Sequence, residues 1–189
     1  MTVGIARQAK AGQTACGDAA AAWVDGDQTL LCVVDGLGHG EAAATAASAA
    51  LAAVAARRTQ PLAAIFAHCE QTLRHTRGLA MGLARIEHGR QAITYVGVGN
   101  IRALRLGTPH RRFVNSYGIV GGGFGALFED CQPIADGDLL LMYSDGIAEI
   151  VDPQRQVDRG YADPQALAEQ LLADLADGHD DAAVLIYQV

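Results

Sequence analysis

Hydrophobic and polar positions alternate between two textures along this chain. Residues 29–34 form a short apolar, β-branched run that stops at Asp35 and a glycine cluster, predicting a buried strand followed by a turn. The alanine-rich stretch 41–58 comes next, with Glu41 at its start and arginines at its end. Alanine's helix propensity, and charges that complement the helix dipole, predict a helix there. Pro61, at a first helical position, opens a second helix running to about Arg77. From Leu83 the runs shorten: 83–87, 92–98, 101–106 and 111–114 are separated by His88-Gly89, Gly99-Asn100 and Gly107-Thr108-Pro109 turn signals. These predict an antiparallel meander. Residues 119–125, with their four glycines, predict a mobile loop. A further buried strand is expected over 139–143, a helix over 164–175 and a last strand over 183–187.

Segregated strands and helices, rather than strict alternation, imply an α+β fold in which two antiparallel sheets pack together and helices cover their outer faces. The 189 residues suffice for one such core, whereas two domains would leave each half marginal, so a single domain over 1–189 is expected. Half of the residues are apolar and 19% are charged, as in globular proteins rather than disordered ones.

A formal net charge of -7, with no basic cluster beyond the pairs Arg57-Arg58 and Arg111-Arg112, excludes a nucleic-acid footprint and suits a cation site. Cys16, Cys32, Cys69 and Cys131 are scattered, without zinc or disulfide spacing, and read as reduced thiols of a cytoplasmic protein. The N-terminus lacks the basic-then-apolar order of a secretory signal, and the longest uncharged run, 42–56, is too short to span a bilayer. Neither export nor membrane association is expected.

Candidate chemistry gathers where strands are expected to end in carboxylates: Val33-Val34-Asp35-Gly36-Leu37-Gly38-His39-Gly40, Met142-Tyr143-Ser144-Asp145-Gly146 and Gly178-His179-Asp180-Asp181-Ala182. One Asp-Gly after a strand is ordinarily a turn. Three such segments, with Gly17-Asp18 upstream, instead suggest a site for hard divalent cations, which take oxygen ligands and keep several waters. In that reading Asp35 bridges two ions, its neighbour's carbonyl binds one of them, and Asp145 and Asp180 complete a cluster that would repel itself if left unneutralised.

The ordered series Gly-Asp (17–18), Asp-Gly-x-Gly-His-Gly (35–40), Gly-Val-Gly-Asn (97–100), Ser-Asp-Gly (144–146) and Asp-Asp (180–181) resembles the PP2C-type (PPM) metal-dependent phosphatases. The SpoIIE-like branch is the nearest, and within it the stand-alone stressosome phosphatases of the RsbX type. This resemblance implies an α-β-β-α sandwich and a serine/threonine protein phosphatase that uses water activated between two Mn²⁺ or Mg²⁺ ions. It implies that Asp35 bridges both metals, that Gly36 contributes its carbonyl, that Asp145 and Asp180 each bind one ion, and that Asp18 acts through a bound water. Gly97, Gly99 and Asn100 would shape the strand and turn beneath the site. The implied substrates are phosphoserine or phosphothreonine residues of STAS-domain or stressosome proteins in bacterial stress signalling.

Two departures from the family pattern stand out. Gln13 occupies the place of an arginine found before the first acidic motif in some members, with Lys10 and Arg7 the nearest cations. Leu37 stands where longer relatives carry a candidate general-acid histidine; His39 is its nearest replacement, and a purely orienting hydrogen bond is the plainer role for it. His179 reads as a surface-loop residue. Residues 121–125 read equally as a flap over the site or a plain solvent loop, and with 151–161 they would form the rim that chooses substrate.

Two other readings compete. A strand, a glycine turn and an alanine-rich helix in series also open dinucleotide-binding folds, but Glu41 occupies the expected third glycine position and Asp35 would face a pyrophosphate. A catalytically silent phosphatase-like binding domain in a signalling complex is the more serious alternative, and the complete carboxylate set argues against it.

Overall fold

The computed structural model describes residues 2–107, 109–150 and 163–189. In chain order its elements are β1 (Thr2–Gln8), β2 (Asp18–Asp25), β3 (Gln28–Gly36), α1 (Glu41–Arg57), α2 (Leu62–Thr72), β4 (Leu79–Glu87), β5 (Ala92–Val98) and β6 (Arg102–Leu106). They continue with β7 (Arg111–Arg112), β8 (Gly118–Ile119), β9 (Gly123–Phe124), β10 (Asp130–Pro133), β11 (Leu139–Tyr143), α3 (Pro164–Leu175) and β12 (Ala182–Gln188). One five-stranded sheet runs β1-β12-β11-β6-β7 and another β10-β5-β4-β3-β2, while β8 and β9 pair separately. The pairings within both large sheets are antiparallel, which rules out the doubly wound parallel sheet of a dinucleotide fold.

Side-chain alternation explains the layers. In β3, Leu30, Cys32 and Val34 face a core shared with α1 and α2, while Leu31 and Val33 face the opposite sheet. A strand covered on both sides needs the unbroken apolar run seen at 29–34. β12 does the same for the other sheet: Ala183, Leu185 and Tyr187 enter the inter-sheet core, and Ala182, Val184 and Ile186 meet α3. The molecule is thus an α-β-β-α sandwich with three cores, as expected for the fold class.

Several boundaries differ from the sequence expectation. Helix α2 ends at Thr72, not near Arg77, and Pro61 is its N-cap with ψ 144° rather than its first helical residue. Beyond it Thr76 turns its hydroxyl back to the Leu73 carbonyl and accepts from the Gly78 amide, closing a turn that continued helix would forbid. Strands β1, β2 and β10 were not foreseen. Residues 119–125 are also more regular than their glycines suggest. They belong to the β8–β9 hairpin, and Val120, fully buried, exchanges backbone hydrogen bonds of 2.9 and 3.1 Å with Leu79. Glu70 accepts from the Gly121 amide at 2.7 Å, so this segment is pinned rather than a mobile loop. The expected rim at 151–161, and Thr108 of the predicted turn, lie outside the described residues. Among those described, no helix is long and apolar enough to cross a membrane.

Candidate metal centre

Asp18 and Asp35 are direct partners across β2 and β3, so their side chains leave the same face of one sheet at neighbouring positions. Asp18 opens its strand; Asp35 sits next to the end of β3, inside the strand rather than in the turn after it. Asp145 follows β11 by two residues and Asp180 precedes β12 by two, which corrects the expectation that every carboxylate ends a strand. Because β11 and β12 are neighbours, their loops come together opposite the β2–β3 edge.

The electrostatics record this convergence. Burial, then the facing Asp35, push the Asp18 carboxyl up to about 8, with Asp181 and Asp145 adding to the rise and Ser144 opposing it by hydrogen bonding. Burial, then Asp145 and Asp180, push Asp35 up to about 7, against hydrogen bonding from Asn100 and Asp18. The two titrate as a pair. Asp35 thus feels the other three predicted carboxylates, and Asp18 feels Asp35 and Asp145. Asp18 is 1% exposed, and its Oδ2 is buried with no hydrogen-bond partner. Among the described residues the ion pairs are made by Asp25, Glu87, Asp138 and Glu149, none of which belongs to the cluster.

Each residue around the cluster has a local reason for its place. Gly36 donates to the Gly17 carbonyl at 3.1 Å, and a β-carbon on it would lie 2.6 Å from the Ala43 carbonyl of α1. Glycine is required here by the closeness of helix and strand, beyond any approach to an ion. Gly40, at φ 75°, turns the chain into α1. Asn100, on the β5–β6 turn, donates to Asp145 Oδ2 at 2.6 Å and fixes that carboxylate.

Sequence reasoning missed two participants. Asp181, 2% exposed, accepts the Lys10 amide at 2.8 Å on Oδ1 and the Gly17 amide at 2.9 Å on Oδ2, tying the β1–β2 loop to the base of the cluster. Its neighbour Asp180 stays exposed and accepts from the Asp181 amide at 2.9 Å. The Asp-Asp pair thus divides into a buried strut and an exposed carboxylate, a distinction that two identical letters cannot carry. Arg77 is the second. Its Nη1 lies 2.7 Å from where a β-carbon on Gly38 would sit, bringing a guanidinium over the loop after β3. The Lys10 amide is held by Asp181 and Arg7 pairs with Ala183 across β1 and β12, bonds that engage the backbone of both residues and not their side-chain charges. The Gln13 side chain lies against Gly40. His39 is exposed. His179 is exposed too, its amide held by Asp177 at 2.8 Å.

The donor set suits hard divalent cations: several carboxylates, an unpartnered buried oxygen, and raised proton affinity that a cation would replace. Among the described residues no three His, Cys, Asp or Glu side chains already close on one point as a cage. Ions that retain water ligands need few protein atoms and no such cage.

Residues 25–189 match the family model of stage II sporulation protein E (SpoIIE). The chain belongs to the SpoIIE family. Its similarity to the phosphoserine phosphatase RsbX of Bacillus subtilis (strain 168) is 29% identity over 93 residues, 49% of this chain and 47% of that one. The match thus spans about half the length of the curated relative. A chain from a structure of the bacterial stressosome, described as a modular system adapted to control secondary messenger signalling, superposes with TM-score 0.93 at 31% identity, covering 97% of each chain. RsbX in complex with magnesium superposes with TM-score 0.86 at 20% identity, covering 97% of this chain and 92% of that one, a likeness of fold. The SpoIIE family and its PP2C-like sandwich account for the layers described above, and the family is metal-dependent.

Proposed function

We propose that this SpoIIE-family chain is a metal-dependent protein phosphatase that hydrolyses phosphoserine or phosphothreonine in STAS-domain or stressosome regulators of bacterial stress signalling. The observation that carries the reading is the cluster of Asp18, Asp35, Asp145 and Asp180, in which the buried Asp18 and the partly buried Asp35 have their proton affinity raised first by burial and then by their neighbours' charge. Such a cluster costs stability unless cations neutralise it. Two Mn²⁺ or Mg²⁺ ions would be held by Asp35 between them, the Gly36 carbonyl, Asp145 and Asp180, with Asp18 acting through water. When bound, they supply acidified water as nucleophile and charge neutralisation at the phosphoryl oxygens.

The chain's own residues do the rest. Asn100 holds Asp145 in one orientation. Asp181 fixes the loop that presents Asp18. Arg77, over the loop after β3, offers planar donors to a phosphate. In hydrolysis a water oxygen bonds to phosphorus, the bond to the seryl or threonyl oxygen breaks, and that oxygen takes a proton. His39, exposed at the edge of the loop, would deliver it.

The free state of the four cysteines suits a cytoplasmic setting. Retention of the whole carboxylate set favours an enzyme over a silent binding domain. Asp35→Ala or Asp145→Ala is expected to abolish para-nitrophenyl phosphate hydrolysis in Mn²⁺ with the circular dichroism spectrum unchanged; full activity in both variants would reject the site. His39→Gln is expected to lower kcat on a phosphoserine protein by about 10²-fold while sparing para-nitrophenyl phosphate, whose leaving group needs no proton. Equal losses on the two substrates would remove His39 from the acid role.

A further inference from the structure

Beside the carboxylate cluster the described residues form a groove of about 790 Å³, lined by Leu37, Asn100, Arg102, Val114, Tyr117 and Ile119 with their neighbours. That volume falls in the range of about 300–1,000 Å³ usual for ligand clefts. Asn100 lines the groove and also holds Asp145 at 2.6 Å, so one end of the groove adjoins the cluster.

Its wall is rigid. Asn115 donates to the carbonyls of Gly99 and Ile101 and accepts from the Tyr95 hydroxyl at 2.8 Å. The Ser116 amide donates to Gly97 at 2.8 Å, the Gly99 amide returns a bond to Ser116 at 3.0 Å, and the Ser116 hydroxyl donates to Ala126 at 2.9 Å. The segment carrying Val114 and Tyr117 is therefore locked to the same turn that carries Asn100.

The exposed face of this wall is apolar where solvent favours polar side chains. Of the five large hydrophobic residues exposed among the described ones, three belong to the groove: Tyr117 at 94%, Val114 at 59% and Leu37 at 36%. Gathered apolar exposure on a rigid, concave surface marks a binding site. Two arginines also line the groove: Arg102 donates to the Asn100 carbonyl at 2.9 Å, and Arg112 is tied to the Ile150 carbonyl at 2.6 Å and to Glu149, itself in the lining, at 3.4 Å.

We propose that this groove seats the substrate polypeptide flanking the phosphorylated residue and selects an apolar side chain there, which rests on Val114 and Tyr117. The proposal rests on the phosphatase reading. Its occupant follows from continuity with the cluster: the polypeptide on either side of a phosphate held there must run along the groove, where Val114 and Tyr117 offer apolar surface.

The test uses para-nitrophenyl phosphate and two synthetic phosphoserine peptides that differ only in having leucine or aspartate on either side of the phosphoserine. In Mn²⁺ the wild-type chain is expected to favour the leucine peptide in kcat/KM by about tenfold, the scale of burying one apolar side chain. Tyr117→Ser and Val114→Asp, both at exposed positions, should each erase that preference while leaving para-nitrophenyl phosphate kinetics unchanged. Equal use of the two peptides by the wild type, a preference that survives in the variants, or a parallel loss on para-nitrophenyl phosphate would each overturn the groove assignment. If the wild type turned over none of the three compounds, the phosphatase reading itself would fall.

Discussion

Neighbouring aspartates at 180 and 181 carry opposite burdens. Asp181 is buried, and both its oxygens are spent on backbone amides from residues more than 160 positions away in the chain. Removing that carboxylate leaves the Lys10 and Gly17 amides without their partner, at roughly 1–3 kcal/mol for each amide left unpaired. Asp181→Ala is therefore expected to lower the urea midpoint substantially, and Asp180→Ala, at an exposed position, to leave it within error. Equal midpoints for the two variants would contradict the division of labour. The sequence displayed both acids but not which one turns inward, because that depends on where the β1–β2 loop lies.

At the scale of elements, α1 shows what an alanine surface does. Ala43, Ala46, Ala47, Ala50 and Ala53 recur at helical spacing and are buried against the sheet, so the helix axis sits close to β2 and β3. Ala50 has no exposed surface, and Ala50→Leu is expected to cost about 1–3 kcal/mol by forcing that interface apart, measured by chemical denaturation. The helix was legible from its composition, as were β3, β5, β11 and β12 from their mostly apolar runs, and α3 was expected over the residues it occupies. β2 was not. Its Asp-Ala-Ala-Ala-Ala-Trp-Val-Asp stretch has the composition of a helix, and it becomes a strand through an eight-residue register with β3 that local propensity does not encode. The β8–β9 hairpin was hidden for the opposite reason: its glycines suggest freedom, while the buried Val120 and the Glu70 carboxylate remove it. Of the candidate site, the four carboxylates were readable as motifs, but Arg77 was not, since its nearness to Gly38 arises from the turn after α2.

Across the whole molecule, the buried Asp18 and the partly buried Asp35 couple folding to pH. Asp18 and Asp35 hold protons up to about 8 and about 7 in the folded state, against an ordinary value of 3.8. Over the window between, the native state binds protons that the unfolded chain has released, so stability falls as pH rises. In EDTA, Tm is expected to decline from about pH 4 to about pH 8. Added Mn²⁺ or Mg²⁺ should reverse the decline, most strongly at the alkaline end, with about 2.7 kcal/mol gained at a hundredfold excess over Kd. A Tm that rises across this window in EDTA would contradict the coupling.

β12 lies between β1 and β11, in the interior of its sheet, although it is the last strand in sequence among the described residues. During synthesis β1 leaves the ribosome well before β12, its sheet neighbour among the described residues, which arrives some 180 residues later, as the Thr2–Gln188 pairing shows. The β2–β5 sheet has its strands in hand long before that. Translation therefore imposes an order, with one half of the sandwich waiting, open-edged, for its keystone.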